Sequence, residues 1–292
     1  MQIGLPLYLT KIDFYFYYLT LVIYCVGTFG FLLYLLRPQT LFARLAFYIT
    51  IIGFVFHSLI FTYRYFTYAY FPVTDLHQSL FFFAWCLVIV FIIFNIKQKI
   101  PSLGLFVTPL ALIFLITSVS IFNRGPIPIP PALRSMWLPI HTTLAFLGEA
   151  FFAFAFCVGI MYFIQENQIK NKKWGLFFHR LPSLQTLDYL NYLCLSFGFL
   201  FLTLGIITGS IWAEFAWGSY WSWDQKETWA LVTWLIYAAL LHGRLVVGWR
   251  GKRAALFSVI GFAVVLFTFL GVNLLLPSHH SYESLTSLVP YK

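Results

Sequence analysis

Apolar residues fill this chain in long runs rather than at alternating or amphipathic-helical spacing, and polar positions collect in the gaps between runs. A run of about 20 mostly apolar residues is long enough to cross a bilayer as a helix. Eight such runs stand at 14–36, 42–66, 77–96, 102–122, 138–164, 188–212, 228–247 and 254–276. They predict an all-α, polytopic transmembrane bundle of eight spans. We read it as a single integral membrane domain over 1–292, with four N-terminal spans in 14–122 and a core at 136–282. No small-residue cleavage site follows the first run, which therefore reads as a retained span rather than a signal peptide.

Composition removes the soluble alternatives. The chain is 61% hydrophobic, 22% aromatic and 9% charged, whereas soluble domains carry about 25% charged residues. Its net charge of +9 would suggest nucleic acid if the basic residues were not sorted by loop. Arg37 and Arg44 follow span one, and Lys97 and Lys99 follow span three. Lys170, Lys172, Lys173 and Arg180 follow span five, and Arg244, Arg250, Lys252 and Arg253 follow span seven. Short loops rich in Lys and Arg stay on the cytoplasmic side. Both termini and the 123–137 loop are then expected on the opposite, extracytoplasmic side, with lipid rather than nucleic acid as the surrounding partner. Cys25, Cys86, Cys157 and Cys194 lie within spans and form no C-x-x-C pair. They read as small buried apolar residues, with neither a disulfide framework nor a thiol relay. No phosphate-binding loop and no H-E-x-x-H metalloprotease motif occurs.

Candidate chemistry gathers at 217–229, W-G-S-Y-W-S-W-D-Q-K-E-T-W. Trp217, Trp221, Trp223 and Trp229 fall in this segment, and Trp212 and Trp234 flank it. An indole offers a wide apolar face and one N–H donor, which suits both membrane boundaries and flat aromatic ligands. A shelf of indoles over 212–229, on the outer side, could therefore support a porphyrin. Asp224 stands where an N-cap belongs and Glu227 three residues on, the spacing of a capping box. Histidines supply candidate iron ligands. His141 opens span five, and His279 and His280 follow the last span, all on the side of the indoles. His242 lies in the inner half of span seven beside Arg244, where an ionisable residue is costly and marks a possible second site. His57 reads as a satisfied core histidine, His77 opens span three, and His179 sits in a basic loop. Glu149, eight residues beyond His141, diverges from it by about 80° around the helix and reads as a hydrogen-bonded or protonated carboxyl.

The stretch W-A-E-F-A-W-G-S-Y-W-S-W-D-Q-K-E-T-W resembles the tryptophan-rich signature of the cytochrome c biogenesis superfamily that includes the CcsA (ResC), CcmC and CcmF proteins. The resemblance is nearest to the CcsA branch and extends through L-H-G-R-L-V-V-G-W-R-G-K-R-A-A at 241–255 and G-V-N-L-L-L-P-S-H-H-S-Y at 271–282. It implies haem delivery across the membrane and covalent attachment to the C-x-x-C-H of apocytochrome c, with activity only in complex with a CcsB (ResB)-like membrane protein. It implies haem b as the transported substrate, His141 and His280 as outer iron ligands (His279 as a substitute), and His242 as ligand in transit. Trp212, Trp217, Trp221, Trp223, Asp224 and Trp229 become the residues that hold the ring. The implied setting is a bacterial cytoplasmic membrane or a plastid thylakoid membrane, with the indoles on the periplasmic, outer or lumenal side. Other branches imply an exporter that hands haem to a separate enzyme, or a non-haem regulatory protein of the HemX-like type. Two departures stand out. Gln225 replaces the family's Pro at a position where Pro is merely favoured. D-L-H-Q-S at 75–79 replaces N-x-Y-E-S, so His77 and Gln78 stand for a Tyr–Glu pair.

Overall fold

A computed structural model describes residues 7–121, 134–172 and 175–272, with side chains from Asp13 onward and that of Trp217 excepted. The described residues form helices and no strands. They fall into two compact units, residues 1–129 and 130–292. Seven helices are long and apolar enough to cross a membrane.

The first unit holds α1 (Leu7–Leu36), α2 (Thr40–Tyr68), α3 (Leu76–Gln98) and α4 (Gly104–Ile121), the last entered through a 3₁₀ turn at Pro101–Leu103. Apolar residues encircle α3, as expected of a helix buried on all sides, and Leu80, Phe81, Phe83 and Phe91 are fully enclosed. α1 and α2 approach closely through small residues: a Cβ on Gly30 would stand 2.9 Å from that of Ala46, the pairing that draws helices together where lipid provides no hydrophobic drive. Several polar side chains inside the unit are held by specific partners. His57 is fully buried, its Nε2 donating to the Phe81 carbonyl at 3.1 Å while Tyr24 Oη lies 3.3 Å from Nδ1, so it is the core histidine expected. Asp75 caps α3 by accepting from Gln78 N at 2.7 Å, and Gln78 Oε1 accepts in turn from Thr74 N at 3.1 Å. Gln78 thus closes the turn that leads into α3. His77 turns inward, Nδ1 donating to the Ser118 carbonyl at 2.9 Å. Across the end of the bundle, Arg64 donates from Nε and Nη2 to the two carboxylate oxygens of Asp13 at 2.8 and 3.0 Å. Its guanidinium carbon lies 4.7 Å from the centre of the Phe81 ring.

The second unit contains α5 (Trp137–Lys170), the short α6 (Leu176–Arg180), α7 (Leu184–Trp217), α8 (Gln225–Leu245) and α9 (Lys252–Leu266), the last continued by a π-helical turn at Phe267–Gly271. Long α5 and α7 form its backbone, and α9 packs on α5. Asn191 of α7 ties the three together by donating to Ala155 O at 3.2 Å and Ser258 Oγ at 2.9 Å. At the far end of α8, Arg244 forks onto Asp188 at 3.0 and 2.6 Å, and Gly251 N donates to the same carboxylate at 2.7 Å.

About eight spans were expected, and among the described residues seven helices qualify by length and composition; the eighth run, 228–247, forms α8, whose threonines, indoles, Tyr237, His242 and Arg244 dilute its apolar character. One expectation needs correction. Cys86, Cys157 and Cys194 are buried, but Cys25 is exposed, because it points away from the α2 contact that buries its neighbour Tyr24.

Candidate functional site

The aromatic segment is shaped at both ends by helix termination. α7 stops where Gly218 adopts φ 74 and donates its N–H to the Glu214 carbonyl at 2.9 Å, a left-handed close that glycine makes without steric cost. Six residues later Asp224 begins α8, and the expected capping box with Glu227 is present. Glu227 does more than cap. Its Oε2 accepts from Ser222 N at 2.8 Å, Ser222 Oγ at 3.1 Å and Asp224 N at 3.2 Å, so one oxygen grips the chain on both sides of Trp223. Trp223 itself has φ 57, a conformation in which a bulky side chain is a genuine outlier, and its indole is 69% exposed. Trp221 meets it edge-on, with ring centres 5.8 Å apart. The Trp221 Nε1 is buried without a hydrogen-bond partner among the described residues.

Replacing Glu227 with Ala should release this grip. The lost cap costs about 1 kcal/mol. Amide hydrogen exchange at Ser222 and Asp224 should quicken about fivefold while the core of α5 is unchanged. Equal exchange rates in wild type and variant would show that Trp223 is held by something else.

His141 stands one turn into α5, beside the end of α7. Its Nδ1 lies 2.8 Å from the Gly205 carbonyl, so Nδ1 donates, the backbone bond that orients a ligating imidazole in metal sites. The imidazole stacks on Trp212, with centres 6.1 Å apart and planes 19° from parallel. This approach depends on a missing side chain: a Cβ on Gly209 would fall 2.7 Å from the imidazole. Trp212 itself is buried. It is therefore a wall for His141, whereas Trp223 is an open face. Trp229 packs against Phe267 at 4.5 Å and ties the start of α8 to the turn after α9.

His242 is exposed near the end of α8, about 27 Å along that helix from Asp224 at 1.5 Å per residue. The structure thus separates it from the indoles, as a two-site reading requires. Arg244, its neighbour, is committed to Asp188. His279 and His280 lie outside the described residues, as does the Trp217 side chain. Two features escaped the sequence reading. Glu149 feels the charge of Lys226, while its Oε2 is buried without a hydrogen bond among the described residues; a lone carboxyl in one span and a lysine next to the cap were the only signals. Gly205 and Gly209 carried no signal beyond their four-residue spacing.

A model of the family described as cytochrome c assembly protein matches residues 73–280. The chain is 40% identical over 245 residues to the cytochrome c biogenesis protein CcsA of Chlorella vulgaris, covering 73% of this chain and 78% of that one. It is 36% identical to the CcsA of Guillardia theta, covering 80% and 83%. The CcsA of Chlamydomonas reinhardtii is 38% identical over 221 residues, which span 73% of this chain but 61% of that protein. Among solved structures, the cytochrome c haem lyase CcmF aligns with a TM-score of 0.69 at 16% identity. That alignment takes in 96% of this chain and 49% of CcmF, a likeness of fold.

Proposed function

The chain belongs to the cytochrome c assembly protein family, and on that footing we propose that it delivers haem across a membrane for covalent attachment to apocytochrome c. The observation that supports the reading is His141, whose imidazole is oriented by the Gly205 carbonyl at Nδ1 and stacked on Trp212, which lies in the helix that leads into the indole-rich segment.

In this scheme His141 and His280 bind the iron of haem b from opposite faces, with His279 as the substitute for His280. Trp212, Trp217, Trp221, Trp223 and Trp229 border the ring, and Asp224 fixes the segment that carries them. His242, exposed at the other end of α8, serves as ligand in transit together with a residue of a CcsB (ResB)-like membrane partner. The Lys/Arg-rich loops support a cytoplasmic or stromal side for His242 and a periplasmic, exterior or lumenal side for the indoles. Attachment joins each C-x-x-C-H thiol to a vinyl group: the sulfur bonds carbon, the thiol proton completes the second carbon, and nothing leaves. The work of the residues is to hold both reactants in register, an effect that can remove about 7–11 kcal/mol from a barrier. Release follows when the apocytochrome's own histidine displaces His141 or His280.

The test is the visible spectrum of the full chain purified with its CcsB-like partner. A bis-histidine haem spectrum is expected. A haem-free complex that is folded and fully assembled would overturn the reading.

A further inference from the structure

The unit of residues 1–129 contains a feature that haem handling does not use. Near one end of the bundle, α1 to α4 leave a cavity of about 90 Å³ lined by Phe14, Tyr17, Tyr18, Arg64, His77 and Val119. Every helix of the unit contributes to it, so it is a property of the fold rather than of a loop.

Its polar element is Arg64, which is 1% exposed. Asp13 occupies Nε and Nη2, but Nη1 is buried and has no hydrogen-bond partner among the described residues. A guanidinium N–H left bare in an apolar setting costs more than it would in water, so the cavity suits a molecule that brings an acceptor oxygen. Asp13 already cancels the guanidinium charge and would repel a second anion. An uncharged oxygen therefore fits better than a carboxylate or a phosphate. His77 has its Nδ1 committed to Ser118, which leaves Arg64 as the donor on which the argument rests.

The remaining walls are rings. Tyr17 is buried, its hydroxyl donating to the Leu115 carbonyl at 2.9 Å. Phe14 and Tyr18 lie with ring centres 4.4 Å apart and planes tilted by 52°, and both are partly exposed. They belong to the flank of α1 that also exposes Tyr15, Leu19, Val22 and Val26, within a helix apolar enough to span the bilayer. The mouth thus opens toward lipid, and its occupant has an apolar body. We propose that this cavity binds the carbonyl end of an apolar amphiphile, with Arg64 Nη1 donating to the carbonyl oxygen and Phe14, Tyr17 and Tyr18 enclosing the adjoining body. Two membrane constituents carry this chemistry: ester lipids and lipid-soluble quinones.

The experiment uses the full chain purified in dodecyl maltoside, which has no carbonyl, incubated separately with monoolein and with decyl-benzoquinone and examined by native mass spectrometry. One bound molecule of at least one probe is expected. Retention of monoolein alone assigns an ester lipid and of the quinone alone a quinone, while both together show that the carbonyl suffices. Val119→Phe fills the cavity without touching the ion pair, and Arg64→Lys keeps the charge but loses the fork. Each should weaken binding about tenfold or more. Val119→Phe decides the matter should Arg64→Lys fail to fold. Absence of both probes from the wild type would overturn the proposal. So would equal retention by a Val119→Phe variant with an unchanged melting temperature.

Discussion

Replacing His141 with Ala is expected to strip haem from the outer site of the purified complex and to abolish holocytochrome formation with it. Losing a partner one shell beyond a metal ligand already costs about 10–100-fold in affinity, and His141 is proposed as the ligand itself. Its imidazole is fixed twice, by the hydrogen bond to Gly205 and by the face of Trp212, and another histidine would need both supports to replace it. Gly209→Ala is the sharper companion. The new methyl would stand 2.7 Å from the imidazole and turn it, while alanine in mid-helix favours the helix by about 1 kcal/mol over glycine. A shifted spectrum in a variant that is no less stable would then report on ligand geometry alone. Unchanged haem content and spectrum in the His141→Ala complex would refute the assignment and move the weight to His242.

The largest stability effect is expected at the Asp13–Arg64 pair. Both side chains are almost fully enclosed, and removing one leaves the other charged in an apolar setting. Arg64→Met should cost about 3–5 kcal/mol, which lowers the melting temperature of a chain this size by roughly 6–20 °C. The double variant Asp13→Leu, Arg64→Met should recover most of that loss, since a buried ion pair and an apolar pair of similar volume are often nearly equivalent. Thermal unfolding followed by circular dichroism in detergent checks both. A single variant that melts within about 2 °C of wild type would show that water reaches the pair.

What could be seen in the chain beforehand follows from how local each feature is. Apolar runs are local, so seven spans were legible, and the eighth was legible as a helix. The D-x-x-E spacing of Asp224 and Glu227 is local too, and its capping box is present. Side-chain partnerships across helices are not local. Arg64 inside an apolar run was passed over, although a charge there needs a partner; Asp13 is 51 residues away, and nothing in the spacing selects it. Asp188 with Arg244, and Glu149 with Lys226, escaped for the same reason. Cys25 was misread because periodicity is silent on which side of a wholly apolar helix meets protein and which meets lipid. At the candidate site, the sequence showed the indole-rich segment at 217–229, and the structure sets His141 of α5 against Trp212 beside it. The geometry was not legible in the sequence, because it depends on Gly209 having no side chain and on one carboxylate oxygen holding both flanks of Trp223.

The modest hydropathy of α8 bears on the order in which the chain is made. A helix with so many hydroxyl and indole groups gains little by entering lipid alone. Its polar groups are satisfied by other helices: Trp234 donates to Thr203 of α7 at 2.8 Å, Arg244 binds Asp188, and Thr233 pairs at 2.8 Å with Thr268 in the turn after α9. The first two partners are synthesised before α8 and the third after it. α8 therefore leaves the insertion machinery as a client of its predecessors and becomes self-sufficient only once residue 268 has emerged. The indole shelf at its head is among the last parts of the protein to be secured during biosynthesis.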